Sequence, residues 1–257
     1  MIGDTWESYY VPGTYDPATG DGTLENLLGE SDPQALRHRE YSYTKRRMVE
    51  LRDGTTAIPQ TFDAEHLKAI HKYLFQDVYQ WAGQWRTVDM AKDVTDFLGV
   101  HQIDSYLADM ARYVAHTHWD WLSRRETVEE LSTVFALLNH AHPFREGNGR
   151  ASRMFLRDIA ARSHFEVKFA RVGRDLWNQA SAFSGPDRGA HWPHPEELYP
   201  VFNKIVVPRQ PAQPNSLVAS ALAAQQTAQT APMSTAKTLR PAPPAVPAMP
   251  ASQVAHL

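Results

Sequence analysis

Apolar residues recur at helical spacing through most of residues 32–206, so the chain is predicted to fold mainly as packed α-helices. Asp32 followed by Pro33 predicts the start of a first helix, which runs to about Arg52 and is closed by Gly54. Further helices are predicted at residues 63–79, 103–114, 128–141, 150–162, 175–183 and 195–206, the last of them interrupted by Pro200.

A short stretch after Gly83 departs from this spacing. Residues 85–90 and 94–97 have the pattern of two short extended pieces around Ala91, Lys92 and Asp93, which predicts a small β-hairpin. The fold class predicted from the sequence is therefore all-α, a helical bundle with one minor hairpin.

The composition changes near Pro208. Residues 208–257 hold 9 of the 18 prolines and 13 alanines but none of the 27 aromatic residues. Such a segment has too little apolar surface to offset the entropy of ordering it. We therefore predict a folded domain over residues 1–207, with a core at about 60–205, and a disordered Pro/Ala/Gln-rich tail over residues 208–257.

The net charge argues against one class of function, and the absence of cysteine excludes others. The three charged residues of the tail are basic, which leaves 23 basic against 29 acidic residues, a net charge of −6, in residues 1–207. A net acidic body argues against direct binding of nucleic acid. The absence of cysteine excludes disulfide scaffolds, thiolate-held zinc and cysteine nucleophiles. No apolar run approaches the roughly 20 residues that span a bilayer, and residues 1–13 lack the pattern of a signal peptide, so we expect a cytoplasmic protein without a membrane partner.

The chemistry is concentrated in one loop, residues 142–153, between two predicted helices. Gly147 and Gly149 lack a Cβ, so the backbone there is able to adopt left-handed angles and to turn consecutive N–H groups towards an anion. The following helix adds its unpaired N–H groups and the positive end of its dipole. Together these features predict a phosphate-binding loop.

The side chains of the loop extend this interpretation. His142 is a proton acceptor usable near neutral pH, and Glu146 is an oxygen ligand suited to Mg²⁺ beside bound phosphates. Arg150 and Arg153 lie three residues apart on the first helical turn, so both could lean over the same anion. Gly-Asn-Gly is also a common turn between helices, with Asn148 as the cap, and only the conjunction of these residues favours a nucleotide site.

Residues His142–Arg153 resemble the signature of the Fic (Fic/Doc) family, H-x-F-x-[D/E]-G-N-G-R-x-x-R, and match it at every specified position. The segment from Tyr10 to Gly29 and the stretch from Trp81 to Arg86 also resemble bacterial Fic proteins, so the similarity covers about residues 9–205. The resemblance implies a Fic-like helical bundle whose hairpin is a flap. It also implies transfer of AMP from ATP, with Mg²⁺, to a Tyr, Thr or Ser hydroxyl of a target protein.

The resemblance gives each residue of the loop a role. His142 would take the proton from the attacking hydroxyl, Glu146 would hold the Mg²⁺, and Arg153 would reach the γ-phosphate. The remaining phosphate contacts would come from four consecutive positions, Gly147, Asn148, Gly149 and Arg150.

Outside the loop the implied assignments are fewer. The flap is expected to align the target's modifiable segment by main-chain pairing, with Val88, Met90 and Lys92 as candidate docking positions. An ordinary edge hairpin with Met90 in the core is the alternative. Asn178 is expected in the adenine pocket.

The resemblance also implies how the activity is regulated. Fic proteins are commonly silenced by an inhibitory helix bearing [S/T]-x-x-x-E-[G/N]. The sequence has no match, because the residue four positions before the Glu is Asp21 for Glu25-Asn26 and His142 for Glu146-Gly147, where Ser or Thr is required. We therefore expect a small antitoxin to supply that helix in trans. The chain would then be the toxin of a toxin–antitoxin pair that acts on topoisomerase subunits in the bacterial cytoplasm, with a small GTPase reached by export into a host as the alternative target.

Other activities stay open at this point. Phosphoryl transfer, as in the Doc branch, is disfavoured because that branch has Lys in place of the second glycine, here Gly149. The remaining alternatives are other donors, such as UTP, GTP or a phosphocholine-bearing nucleotide, and a non-catalytic domain that only binds nucleotide or a partner.

Overall fold

The computed structural model describes residues 5–92 and 95–210, and the side chains at positions 92–96 lie outside the description. Within that part of the chain, seven α-helices form the body of the protein. They are α1 (Pro33–Arg52), α2 (Ala64–Phe75), α3 (Ile103–His116), α4 (Arg124–Ala141), α5 (Asn148–Ala160), α6 (Arg174–Phe183) and α7 (Tyr199–Ile205).

Two small antiparallel sheets accompany the helices. Strand β1 (Ala91–Lys92) pairs with β2 (Thr95–Asp96), and β3 (Phe165–Val167) pairs with β4 (Val206–Pro208). The first sheet is the predicted hairpin, but its paired residues include Ala91 and Lys92, which were predicted to form the turn. The second sheet was not predicted, because two three-residue strands from distant segments leave no recognisable period in the sequence.

Helix α4 lies at the centre of the core. Ser123 and Glu126 form a capping box that satisfies the unpaired N–H groups at its start. The helix packs against α3, α5 and α7, and its buried residues include Val128, Leu131, Val134, Phe135 and Leu138. Because α4 is enclosed by other helices, the position at which it ends is fixed firmly within the fold, and the predicted phosphate-binding loop begins there.

The largest differences between predicted and observed helix boundaries are four residues. Helix α4 begins at Arg124, four residues before its predicted start. Helix α2 ends at Phe75, four residues earlier than predicted, and the N–H groups of Val78 and Tyr79 both donate to the Phe75 carbonyl in a turn. Both side chains stay buried, so the apolar spacing continues past the end of the helix. The predicted helix over residues 195–206 is divided near Pro200. A 3₁₀ helix covers Pro195–Leu198, and Pro200 lies in the first turn of α7, where its missing N–H has no partner to lose.

The folded body extends slightly beyond the predicted boundary at residue 207. Pro208 pairs with Phe165 in the second sheet, and Arg209 donates to the carbonyls of Ala160 (3.0 Å) and Ser163 (3.1 Å). The predicted tail from residue 211 onwards lies outside the described residues. In the part of the chain that is described, no helix combines the length and the apolar character needed to cross a membrane.

Candidate active site

A cavity of about 770 Å³ opens between the end of α4, the start of α5 and one side of α6. Seven of the residues selected from the sequence line it, namely Met90, His142, Glu146, Gly147, Asn148, Gly149 and Asn178. Val88, Arg150 and Arg153 do not, although they were predicted to belong to the same site. The fold therefore assembles most of the predicted site around one cavity and directs three of its side chains elsewhere.

His142 is the residue at which α4 ends. Its backbone is left-handed, with φ 38° and ψ 55°, and its N–H donates to the Leu138 carbonyl at 3.1 Å. This conformation is uncommon for a residue with a side chain and is typical of functional sites that the surrounding structure holds in place. The turn puts the imidazole on the cavity wall, stacked on the ring of Phe97 with 3.8 Å between ring centroids.

A buried arginine fixes this turn. Arg86 donates to four backbone carbonyls, those of His142 (2.9 Å), Val88 (2.8 Å), Ala141 (3.3 Å) and Leu98. Burial lowers the pKa of its guanidinium. One charged group therefore ties the base of the flap to the backbone of His142. The sequence pattern includes Arg86 only in the stretch that resembles Fic proteins and predicts no role for it.

The three candidate docking positions of the flap differ in the structure. The Val88 side chain is buried against Tyr9 and Tyr10, and its carbonyl accepts from Arg86, so the expectation that Val88 docks a target is corrected. Met90 is half-buried and lines the cavity. The backbone of Lys92 lies in β1, and its side chain is outside the described residues.

The two glycines of the loop have different roles. Gly147 is left-handed, with φ 81°, and a Cβ there would lie 2.2 Å from the buried Phe75 ring. Gly149 belongs to α5, has no positive φ, and a Cβ there would meet no atom within 4 Å. The prediction that both glycines permit left-handed backbone is correct only for Gly147. The space beside Gly149 is open, as the close approach of a ligand would require.

Asn148 closes the loop on itself. Its side-chain oxygen accepts from the Phe144 N–H at 2.9 Å, and its side-chain nitrogen donates to the Phe144 carbonyl at 2.7 Å. Both ends of the amide are engaged within the loop. The predicted phosphate contact of Asn148 would therefore come from its backbone N–H at the start of α5, as would that of Gly149.

His71 on α2 supports the same loop and was not selected from the sequence. The Gly83 N–H donates to Nδ1 of His71 at 2.9 Å, so the ring proton is on Nε2, which donates to the Glu146 carbonyl at 3.0 Å. The ring also stacks on Phe144 at 3.7 Å. Burial, with a smaller contribution from the charge of Arg150, lowers the pKa of His71 to about 3. The imidazole is therefore neutral at neutral pH, as this hydrogen-bonding pattern requires.

Arg150 turns towards α1 and away from the cavity. Its guanidinium lies 2.6 Å from the Glu40 carboxylate and 3.2 Å from that of Glu146, donates to the Thr44 hydroxyl at 3.1 Å, and packs over Phe75. It lines a separate cavity of about 390 Å³. The buried carboxylate of Glu40, to which the Tyr79 hydroxyl donates, thus draws Arg150 away from the phosphate side. Arg150 holds Glu146 in place, and the expectation that it leans over an anion with Arg153 is corrected.

Arg153 has different contacts from those of Arg150. Its guanidinium packs over the rings of Trp177 (5.1 Å) and Phe169 (5.5 Å), and burial lowers its pKa. Trp177 itself lines the cavity, so Arg153 is one side chain removed from the cavity wall. Arg174, the first residue of α6, is exposed on that wall. An exposed arginine outside any motif carries no signal in the sequence, so Arg174 was missed.

The donor set at Glu146 fits a magnesium ion bound together with phosphates. Oε1 accepts from the Gly147 N–H at 2.8 Å and faces Arg150, while the carboxylate remains 44% exposed on the cavity wall. Mg²⁺ needs few protein carboxylates when substrate phosphates supply other oxygens. Among the described residues there is no group of three or more His, Cys, Asp or Glu that could hold a metal by itself.

The sequence is similar to proteins of one known family. The sequence profile of the Fic/DOC family matches residues 61–160. The chain is 38% identical over 172 residues to protein adenylyltransferase VbhT of Bartonella schoenbuchensis, a match that covers 66% of this chain and 36% of that protein. It is 32% identical over 180 residues to the probable protein adenylyltransferase y4lH of Sinorhizobium fredii, covering 66% of this chain and 89% of that protein.

A solved structure supports the same relationship. The crystal structure of the BepC protein of Bartonella tribocorum, with bound AMPPNP, superposes with a TM-score of 0.66 at 26% identity and covers 79% of this chain and 98% of that one. The helical architecture around the cavity is therefore shared with a protein that binds a nucleotide. The chain spans only about a third of the length of VbhT, so the likeness to VbhT concerns one part of that protein.

Proposed function

The chain belongs to the Fic/DOC family, and from this membership we propose that it is a protein adenylyltransferase that moves AMP from ATP to a Tyr, Thr or Ser hydroxyl of a target protein. The observation that carries the proposal is the single cavity in which His142, the exposed carboxylate of Glu146 and the N-terminus of α5 meet. A domain that only bound nucleotide would have no use for a proton acceptor beside a metal ligand and an anion site.

In the proposed reaction each group of the site has a separate role. The target hydroxyl oxygen attacks the α-phosphorus, the bond from that phosphorus to the oxygen bridging to the β-phosphate breaks, and pyrophosphate leaves. The hydroxyl proton passes to the imidazole of His142, whose position is held by Arg86 and Phe97. The open N–H groups at the start of α5 would stabilise the negative charge that develops on the phosphates.

Glu146 is the residue that would hold Mg²⁺, whose charge would offset that of the phosphates. Three contacts keep this carboxylate in position: its own bond to the Gly147 N–H, the guanidinium of Arg150, and the His71 bond to its backbone carbonyl. Arg174, at the other side of the cavity, is a further cation available to the phosphates.

The test of the proposed function is transfer of label from ATP carrying a radioactive phosphorus at the α or at the γ position, incubated with bacterial lysate and Mg²⁺. Label from the α position alone, lost in His142→Asn, is the expected result. Asparagine is the matched substitution because it tolerates the left-handed backbone of residue 142. Label from the γ position alone would instead establish a kinase, and label from neither would refute transfer from ATP.

The finer proposals concern the biological role. We propose that this domain acts in the bacterial cytoplasm on topoisomerase subunits and that a small antitoxin silences it in trans. The support is the resemblance to the antitoxin-controlled branch of the family. Expression alone should arrest growth, with AMP found on a topoisomerase subunit by mass spectrometry, whereas the His142→Asn variant should leave growth unaffected. Arrest by both proteins would argue against toxicity through AMP transfer.

A further inference from the structure

The cavity has two chemically different ends. At the start of α6 it is bordered by Arg174 and by the N-terminus of α5. Ser181, further along α6, lies seven residues and therefore about 10 Å from Arg174. Around this second end Phe135, Leu138 and Trp177 supply apolar surface beside a few polar side chains. A nucleotide with its phosphates at the first end would place its base at the second.

One polar side chain at the apolar end has a fixed orientation. The Asn139 side-chain nitrogen donates to the Ser181 carbonyl at 2.8 Å. A carbonyl oxygen only accepts hydrogen bonds, so the amide of Asn139 is oriented with Nδ2 towards Ser181 and Oδ1 away from it. Within the described part of the chain no protein donor is bonded to Oδ1, and this atom is not among the fully buried polar atoms. Since Asn139 lines the cavity, Oδ1 is a pre-positioned acceptor on its wall.

We propose that Asn139 selects the base of the nucleotide donor by accepting a hydrogen bond from an exocyclic amino group, and so favours ATP over GTP. Adenine presents an amino group at its 6-position, whereas guanine presents a carbonyl oxygen there. An acceptor facing an acceptor leaves both groups unpaired, and such mismatches discriminate strongly in a buried site.

Two neighbouring amides are less suited to this selection. Asn178 and Gln179 also line the cavity, but both are exposed on α6. An exposed amide can rotate and present either its donor or its acceptor to a base, so it adapts to guanine as readily as to adenine. Asn139 differs because the Ser181 carbonyl prevents that rotation.

This inference rests on the proposed function only because it takes a nucleoside triphosphate as the ligand. It is tested by measuring nucleotide binding and does not depend on AMP transfer. Dissociation constants would be measured calorimetrically, in Mg²⁺, for ATP, GTP and purine riboside triphosphate, which lacks the 6-amino group. The wild-type protein should bind purine riboside triphosphate about threefold to tenfold more weakly than ATP, and GTP at least about tenfold more weakly.

Two variants locate the effect. Asn139→Leu keeps the shape of the side chain and removes the acceptor, so ATP and purine riboside triphosphate should bind it equally. Gln179→Leu is the matched control on the same cavity wall, and its ratio of the two dissociation constants should equal that of the wild type.

The outcomes separate this inference from the proposed function. An ATP preference that persists in Asn139→Leu, or one that disappears in Gln179→Leu, would overturn the role of Asn139. Equal binding of ATP and purine riboside triphosphate by the wild-type protein would do so without any variant. If none of the three nucleotides bound, the proposed function would fail and this inference with it.

Discussion

Alanine substitutions of the two loop glycines should have opposite effects, because the structure assigns the glycines different roles. In Gly147→Ala the new methyl group would lie 2.2 Å from the Phe75 ring, on a backbone with φ 81°. The left-handed conformation costs alanine about 1 kcal/mol and the overpacking about 1–3 kcal/mol, so we expect a loss of roughly 2–4 kcal/mol in the free energy of unfolding. For a domain of this size that corresponds to a fall in Tm of roughly 4–16 °C.

Gly149→Ala should leave the fold intact. Apart from the adjoining residues and backbone of α5 itself, no atom lies within 4 Å of the new methyl group. Alanine is also favoured over glycine in a helix by up to about 1 kcal/mol. The Tm should therefore stay the same or rise by a few degrees. The methyl group would occupy the open space beside the first turn of α5, so ATP affinity should fall by about tenfold or more if phosphates bind there.

Both variants would be followed by thermal unfolding and by calorimetric titration with ATP and Mg²⁺. Wild-type affinity in Gly149→Ala would refute the placement of phosphates beside that residue. Wild-type stability in Gly147→Ala would refute the steric role of the Phe75 contact. Phe75→Leu should relieve part of the Gly147→Ala defect, so the double variant should be less destabilised than the sum of the two single variants.

Three further predictions concern residues that hold the site in place. Arg86→Met should lower the free energy of unfolding by about 3 kcal/mol, because four backbone carbonyls lose their donor. It should also lower kcat for AMP transfer with little change in ATP affinity, and Arg86→Lys should recover part of both losses. If urea unfolding shows that Arg86→Met is folded and its kcat is unchanged, this role of Arg86 is contradicted. Burial lowers the pKa of His71 to about 3 in the folded state, so below about pH 6.5 only the unfolded state binds the extra proton. Stability should therefore fall as the pH falls, with a slope that approaches about 1.4 kcal/mol per pH unit well below pH 6.5. Urea unfolding of His71→Gln at pH 7, 6 and 5 should lack this component, and parallel pH profiles of the two proteins would argue against it. Glu40→Gln should release Arg150, which also contacts Glu146, and so raise the Mg²⁺ concentration needed for half-maximal activity. Initial rates measured over a range of Mg²⁺ concentrations would detect this change. An unchanged Mg²⁺ dependence would show that Glu40 does not influence the metal site.

Local patterns were sufficient for much of the fold and for the centre of the site. Helix α1 begins and ends where Asp32, Pro33 and Gly54 predict, because capping depends on residues adjacent in sequence. The loop from His142 to Arg153 also brings its own parts together, since twelve consecutive residues between two helices cannot separate far in space. The proton acceptor, the carboxylate and the anion-binding helix start were therefore all identifiable from the sequence.

Only the tertiary structure decided which distant residues hold that loop and which way its side chains turn. Arg86 reaches the His142 carbonyl across 56 positions of the chain, and His71 reaches the Glu146 carbonyl across 75. Arg150 was expected on the phosphate side, but the buried carboxylate of Glu40 on α1 attracts it to the other. The spacing of apolar residues specifies which face of a helix is buried, whereas the partner of a buried polar group depends on how separate helices pack, and that information does not reside in any one segment.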